Sequence, residues 1–436
     1  MEQHECLDVI GIGIGPFNLG MAALLEKTDV QALFFERKEQ FDWHPGMMLD
    51  GTTLQVPFMA DLVTMVDPKS PYSFLNYLHE HNRLYSFYFL ESFHIPRAEY
   101  NHYCQWVSKQ LRNLVFQTEV EQIDKIDNEK RSYYAVKVKE KQQRRTYYAK
   151  QLIVGTGTKP YVPEAVRSCL DDKVYHSSRY KMMREETKKA RSITVIGSGQ
   201  SAAEIFYDLL DDQENHSYEL SWYTRSTGFY PMEYSKLGLE HFSPDYTRYF
   251  YQLPEQQKAK TLKNQALLYK GISFDTIAAI YDKLYERTIG GATAPVHMQA
   301  LTEVQEIERT REGVAITLHQ QEQGHTVTAE SDVVIFATGY HPYVPACLDG
   351  LLLDLEWTAG GQLAITEDYR IKGSGDHAIF VQNGELHTHG VGAPDLGLGA
   401  FRNAVIINQL AGKDVYRVDH QTVFQKFGTN LPVLCK

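Results

Sequence analysis

Two copies of one glycine-rich turn constrain this chain more than anything else in it. The first ends an apolar run that starts near Leu7 and reads Gly13-Ile14-Gly15-Pro16-Phe17-Asn18. A strand that ends in Gly-x-Gly and turns straight into a helix aims backbone N–H groups and the helix's positive end at a pyrophosphate. Side chains at Gly13 and Gly15 would block the tight turn or the approach of the phosphate. A second buried-strand run, Ala32-Leu33-Phe34-Phe35, leads to Glu36, where an acid would hold an adenosine ribose. The third small position of the fingerprint is Asn18 instead of Gly or Ala. The second copy follows Ser192-Ile193-Thr194-Val195-Ile196 and reads Gly197-Ser198-Gly199-Gln200-Ser201-Ala202. Ala203, Phe206, Leu209 and Leu210 recur behind it at helical spacing. After the strand-like Leu220-Ser221-Trp222-Tyr223, the ribose-reading position holds Arg225, which can pair with a 2′-phosphate. The first site therefore reads as FAD-like and the second as NADPH-like. The fold class is α/β, with two Rossmann-like domains.

At 436 residues the chain is long enough for two domains with full cores. A net charge of −11 argues against a nucleic-acid surface, and no run of eighteen apolar residues predicts a membrane span. The polar, acidic start, Met1-Glu2-Gln3-His4-Glu5, does not read as a signal peptide. Five scattered cysteines (Cys6, Cys104, Cys169, Cys347, Cys435) form no CxxC, so neither a redox dithiol nor a zinc knuckle is indicated. Free thiols fit a reducing cytoplasm.

The organisation follows from where the fingerprints fall. Residues 1–160 form the first part of the FAD-binding domain, 161–330 the NADPH-binding domain, and 331–436 the return to the first. The NADPH domain is thus inserted in the FAD domain. Leu152-Ile153-Val154-Gly155-Thr156-Gly157 and Val333-Val334-Ile335-Phe336-Ala337-Thr338-Gly339-Tyr340 close alike, strand then Thr-Gly, where a chain would cross between domains. Helices are predicted over 73–81, 97–111 and 401–410, and an antiparallel hairpin within 124–150. A helical substrate region at about 229–290 interrupts the insert, with Phe274, Ile277, Ile280 and Leu284 at helical spacing. The tyrosine-rich run 246–251 reads as core and rim. His387 and His389 lack a carboxylate or Cys at a matching interval, so no metal is expected.

These residues resemble the flavin-dependent N-hydroxylating monooxygenases, which hydroxylate lysine, ornithine or diamines for siderophore synthesis. The most specific pieces are Gly13-x-Gly15-Pro16-Phe17-Asn18-Leu19, Phe41-Asp42-Trp43-His44-Pro45-Gly46-Met47, Asp61-Leu62-Val63-Thr64, Ser73-Phe74-Leu75-Asn76-Tyr77-Leu78, the second fingerprint, Ala337-Thr338-Gly339-Tyr340 and Thr388-His389-Gly390. Asn18 is normal in this group. The resemblance implies FAD contacts from Gly13, Gly15, Pro16, Asn18, Glu36, Arg37, Trp43, His44, Gln55, Val120 and the backbone near Leu398. It implies NADPH contacts from Gly197, Ser198, Gly199, Gln200, Ser201 and Arg225. The implied chemistry is reduction of FAD by NADPH, capture of O₂ as a C4a-hydroperoxyflavin, and transfer of the terminal oxygen to a primary amine. No catalytic acid or base is expected, since the flavin supplies the difficult step. A homo-oligomer, dimer or tetramer, is expected by analogy.

The departures from the family bear on the substrate. A Lys that grips the amino-acid carboxylate in the family is matched here by Ala60, an Asn by Leu239 and a Ser by Gly399. Without that cation a buried carboxylate would be left unpaired, so the expected substrate is a diamine, putrescine or cadaverine. Its second ammonium needs an acceptor, for which Asp61 and Glu240 are candidates. L-Lysine or L-ornithine hydroxylation is the alternative, and a non-hydroxylating NADPH oxidase or sensor the second. His176-x-x-x-Tyr180 echoes part of the linker motif of Baeyer–Villiger flavoenzymes, but the preceding Phe-x-Gly is missing.

Overall fold

The computed structural model describes residues 6–128, 131–311, 313–419 and 421–429. The sequence-based expectations for residues 1–5 and Cys435 lie outside them. The first pass lays down strand β1 (Cys6–Ile12), helix α1 (Pro16–Leu25) and strand β2 (Ala32–Phe35). Helices α2 (Phe74–Glu80), α3 (Leu84–Leu90) and α4 (Arg97–Ser108) follow, then β3 (Leu114–Val115), β4 (Thr118–Asn128), β5 (Arg131–Glu140) and β6 (Gln143–Val154). The short β7 (Thr158–Pro160) leads out to β8 (Val174–His176), α5 (Tyr180–Thr187), β9 (Ser192–Ile196), α6 (Gln200–Asp212) and β10 (Glu219–Tyr223). The insert holds α7 (Lys236–Leu239), α8 (Pro244–Gln252), α9 (Glu255–Asn264) and α10 (Phe274–Arg287). Then come β11 (Val296–Gln299), β12 (Thr302–Arg309), β13 (Val314–Gln320), β14 (His325–Ser331), β15 (Val333–Phe336) and β16 (Tyr340–Pro342). The chain closes with β17 (Ile379–Val381), α11 (Leu386–His389) and α12 (Gly399–Ala411).

One seven-stranded sheet runs β3-β2-β1-β6-β5-β4, with β17 also on β6. Strand β6 has two roles. Its first half pairs antiparallel with β5, and its last residues, Leu152–Val154, pair parallel with β17. The predicted hairpin and the predicted Leu152 strand are therefore parts of one β4-β5-β6 meander. The apolar faces of this sheet are covered by two clusters, one around Leu19, Phe34, Tyr77 and Ile407, the other around Ile10, Val136, Leu348 and Ile379.

The second sheet is parallel throughout, in the order β11-β10-β9-β15-β8. Strand β15 pairs with both β9 and β8, so residues 333–336 belong to the inserted unit. The return to the first unit therefore comes after Phe336, later than the expected boundary at 331. An apolar run announces a strand but not which sheet receives it. The two crossings, β7 and β16, pair antiparallel with each other, Tyr340 opposite Pro160. Among the described residues no helix is long and apolar enough to cross a membrane.

Helix α10 packs its Ile277, Ile280 and Leu284 on the second unit, but Phe274, expected on the same stripe, is 70% exposed. Within α8, Tyr246 and Phe250 are buried against Val391 while Tyr249 and Tyr251 are half-buried, so the tyrosine-rich run is core and rim.

Candidate active site

Gly13 has φ of +84° and its N–H donates to Phe35 O at 2.8 Å. A Cβ there would lie 2.7 Å from Gly155 O, so glycine is required twice over. Gly15 caps α1 with no side-chain bond to the helix N–H groups, and Pro16 occupies the first turn. A Cβ on Gly15 would meet nothing within 4 Å, so the open turn leaves a cradle for a phosphate. The Glu36 carboxylate sits beneath this turn, accepting Ile14 N at 2.9 Å and Lys38 N at 3.0 Å. Arg37 beside it is exposed, and Val120 lies at the bulge in β4.

Asn18 explains itself in the structure. Its Nδ2 donates to Gly13 O at 2.8 Å and Ile12 O at 3.3 Å. Its Oδ1 accepts Gln382 Nε2, which also donates to Asn403 Oδ1, while Asn403 Nδ2 donates to Phe17 O. Three separate chain segments are thereby fastened under the fingerprint. Gln382 and Asn403 were not singled out from sequence.

Other members of the expected FAD set are placed by their own contacts. His44 has φ of +47° and packs edge-on against Trp43 at 4.9 Å and Tyr340 at 5.8 Å. The residue as a whole is exposed. The protein crowded around it, with Arg97 and Lys38 nearby, still pushes its pKa down to about 4 and favours the neutral imidazole. The buried Gln55 Nε2 has no hydrogen-bond partner within the protein. An unsatisfied amide is costly unless a ligand oxygen meets it, and that fits a flavin carbonyl. Gln55 O itself accepts the Tyr234 hydroxyl at 3.0 Å. The donor at Gln55, the open Gly15 cradle and Glu36 together fit FAD.

The second turn repeats the first. Gly197 has φ of +143°, and a Cβ there would stand 2.2 Å from Ala337 O. Gly199 caps α6 with no side-chain bond, leaving its first N–H groups for phosphate. Ser198 and Ser226 hydroxyls bond at 2.8 Å, and Ser201 is half-buried in the first turn of α6. Gln200 is committed otherwise: its amide reaches Glu204, Thr276 and Ser273 N and braces α10 against α6. Arg225 is exposed and only 3.5 Å from Glu303, which leaves its guanidinium able to reach a 2′-phosphate. A bidentate pair, Arg97 to Glu204 at 2.6 and 2.7 Å, joins α4 of the first unit to α6 of the second. His176 joins the crossings, with Nδ1 accepting Ser178 N and Nε2 donating to Gly339 O at 3.0 Å. Tyr180 donates to Asp208, so the His-x-x-x-Tyr pair is structural.

The substrate positions divide. Ala60 is buried, and a small cavity under the first fingerprint is lined by Phe17, Asp61, Leu62, Tyr100, Leu396 and Gly399, with Ala60 itself outside its lining. A Cβ on Gly399 would lie 2.9 Å from the Phe17 ring. Asp61 is spoken for: Val63 N, Thr64 N, the Thr64 hydroxyl and Phe74 N all donate to it at 2.6–3.0 Å. Burial still pushes its carboxyl up against those bonds. Glu240 accepts Phe424 N and Gln425 N and pins residues 424–425. Each oxygen of Asp61 accepts two donors, which leaves it no lone pair for an ammonium, while Glu240 is engaged in holding the 424–425 backbone at the end of α7. Leu239, 40% exposed on α7, does not line the cavity. His387 and His389 bond to Leu363 O and Thr388, and no metal-binding group of side chains occurs among the described residues.

Sequence reasoning also missed a wholly buried ion pair, Arg402 to Glu385 at 2.9 Å, with the guanidinium 4.6 Å over the Phe17 ring. Its signal was Arg402 itself, a charge in the apolar stretch of α12.

Fold and site together define an oxidoreductase with two dinucleotide-binding turns, one in each unit, and a pair of crossing strands between the units. The family description that matches residues 5–342 is L-lysine 6-monooxygenase/L-ornithine 5-monooxygenase. The chain belongs to this family. It is 44% identical to the putrescine N-hydroxylase of Shewanella oneidensis, over 96% of this chain and 84% of that one. It is 40% identical to the putrescine N-hydroxylase of Acinetobacter baumannii, over 98% and 95%. Among solved structures it is similar to FAD-bound DfoA, the desferrioxamine-pathway cadaverine monooxygenase of Erwinia amylovora. That match has a TM-score of 0.94 and 41% identity, over 98% of this chain and 100% of the other.

Proposed function

We propose that this protein N-hydroxylates one primary amine of a diamine, putrescine or cadaverine, in hydroxamate siderophore biosynthesis. It uses FAD, NADPH and O₂. Bound FAD, once reduced, supplies the activation of dioxygen; the chain supplies binding, orientation and exclusion of water. Gly13, Gly15 and the first turn of α1 would hold its pyrophosphate, Glu36 its ribose and Gln55 Nε2 a ring oxygen. Gly197, Gly199 and the first turn of α6 would hold the NADPH pyrophosphate, and Arg225 its 2′-phosphate. The substrate nitrogen must react as free amine, although its pKa in water is about 10.4. An apolar surround with no free carboxylate beside the reacting nitrogen lowers that value.

The observation that carries the diamine choice is Ala60. A methyl stands where a carboxylate-bearing substrate would need a cation, and relatives named for diamines support the same choice. Hydroxylamine yield across C3 to C5 diamines, L-lysine and L-ornithine, with NADPH consumption and peroxide followed together, tests it. Preference for an amino acid would refute the diamine, and peroxide alone would leave an oxidase. The exposed aromatic face of α3 (Tyr85, Tyr88 and Phe89, each more than 70% exposed) supports a homo-oligomer, which light scattering checks.

A further inference from the structure

A diamine brings a second ammonium into the cleft, and the two acids singled out from sequence are already engaged by donors. One other carboxylate stands beside Ala60. Asp395 opens the turn 396–398, where its Oδ1 accepts Gly397 N at 2.8 Å. A Cβ built on Gly397 would lie 2.8 Å from that oxygen and 3.7 Å from the Ala60 Cβ, so the carboxylate and the methyl flank one point of backbone. Among the described residues no side-chain donor bonds Asp395 and no cation pairs with it within 4 Å. The carboxylate lies deep in the fold, yet solvent still reaches the residue, as expected for the wall of a cleft rather than the core. Burial pushes its pKa up to about 6, against the pull of the Gly397 and Leu398 N–H groups and of Arg402.

The charges around it do not balance. The cation whose charge acts on it, Arg402, is wholly buried and already paired with the equally buried Glu385. Asp395 thus has no cation of its own, and a buried charge without a partner is expensive to keep. A capping role does not account for it, because Asn serves the same N–H group as well as Asp and carries no charge. What a charge at this position gains is a cation.

Resting on the diamine reading above, we propose that Asp395 receives the distal ammonium of the substrate, with the Ala60 methyl leaving the space in which the two meet. Asp395 is then a specificity-determining residue: it fixes which amines are held and, through its distance from the flavin, how long they are.

The test compares putrescine and cadaverine with 1-aminobutane, which has the same reacting end and no second charge. Asp395→Asn keeps the oxygen that accepts Gly397 N. Its kcat/KM for the diamine should fall at least about 30-fold more than that for 1-aminobutane, mostly through KM, because a buried charge pair has lost one partner. Equal changes for both amines, or no change for either, would overturn the assignment. FAD content of the purified variant shows whether the turn is intact. Should Asp395→Asn yield no holoenzyme, Asp395→Glu decides: it advances the charge by one methylene and should move the preferred diamine to a shorter chain. An unmoved preference would overturn the proposal. Wild-type enzyme that makes hydroxylamine from no diamine would refute the diamine reading and this assignment with it. A selective diamine hydroxylase indifferent to Asp395 would refute only the assignment.

Discussion

The Arg97–Glu204 pair allows a prediction with a worked magnitude. Both side chains are nearly buried, 12% and 5% exposed, and two N–O contacts of 2.6 and 2.7 Å join them. Two unit charges about 4 Å apart attract by roughly 4 kcal/mol at an effective dielectric of 20. Desolvation opposes this: burial pushes the Glu204 carboxyl up even though Arg97 and Gln200 pull it down. The pair as a whole is therefore near break-even, whereas either half alone is a stranded charge. Arg97→Met and Glu204→Leu should each cost about 3–5 kcal/mol, while the double variant should cost less than either single one. Arg97→Met should be the worse of the two, because Thr53 O and Met47 O also lose a donor. Glu204→Leu leaves Arg97 those two carbonyls. Urea unfolding of the four proteins, followed by fluorescence and by circular dichroism, measures this. Singles within about 1 kcal/mol of wild type, or a double variant that costs the sum of the two, would refute the reasoning.

Three further outcomes are expected. Gly13→Ala meets both a positive φ and the carbonyl of Gly155, so the variant should purify with well under one FAD per chain, read from flavin absorbance. Arg225→Gln should raise KM for NADPH about 10-fold or more while leaving KM for NADH nearly unchanged, since only the 2′-phosphate loses its partner. His176 and His389 are buried, and desolvation pushes their pKa values down to about 4 and about 3. The unfolded chain takes up protons near pH 6.5 that the native fold refuses, so stability is lost as pH falls below that value. Between pH 7 and pH 5 the two together should remove about 3 kcal/mol, measured by unfolding at each pH. A loss over that interval no larger in wild type than in a His176→Gln/His389→Gln double variant would contradict it.

Sequence revealed what is local. Both Gly-x-Gly turns stand at the ends of buried strands because the glycine requirement is set within a few residues. Helix α3 escaped notice because Leu84-Tyr85-Ser86-Phe87-Tyr88-Phe89-Leu90 has no polar face to give it a period, and none of its residues is buried. Phe274 misled in the opposite way, lying on the apolar stripe of α10 but beyond the edge of the surface that the helix covers. The oddity of Asn18 was visible, but its partner Gln382 is 364 residues away, and no spacing rule connects them. Asp61, Glu240 and Asp395 look alike as letters. Which of them has lone pairs left over depends on donors that arrive with the fold.

The bracket beneath the first fingerprint also sets an order of assembly. Strands β8, β9, β10, β11 and β15 all precede residue 337, so the inserted sheet has every strand it needs while the chain is still emerging from the ribosome. The outer sheet must wait for β17, and Asn18 must wait for Gln382 and Asn403. A nascent chain halted before residue 379 would hold every strand of the second sheet and still lack the side chains that brace the first glycine-rich turn from below.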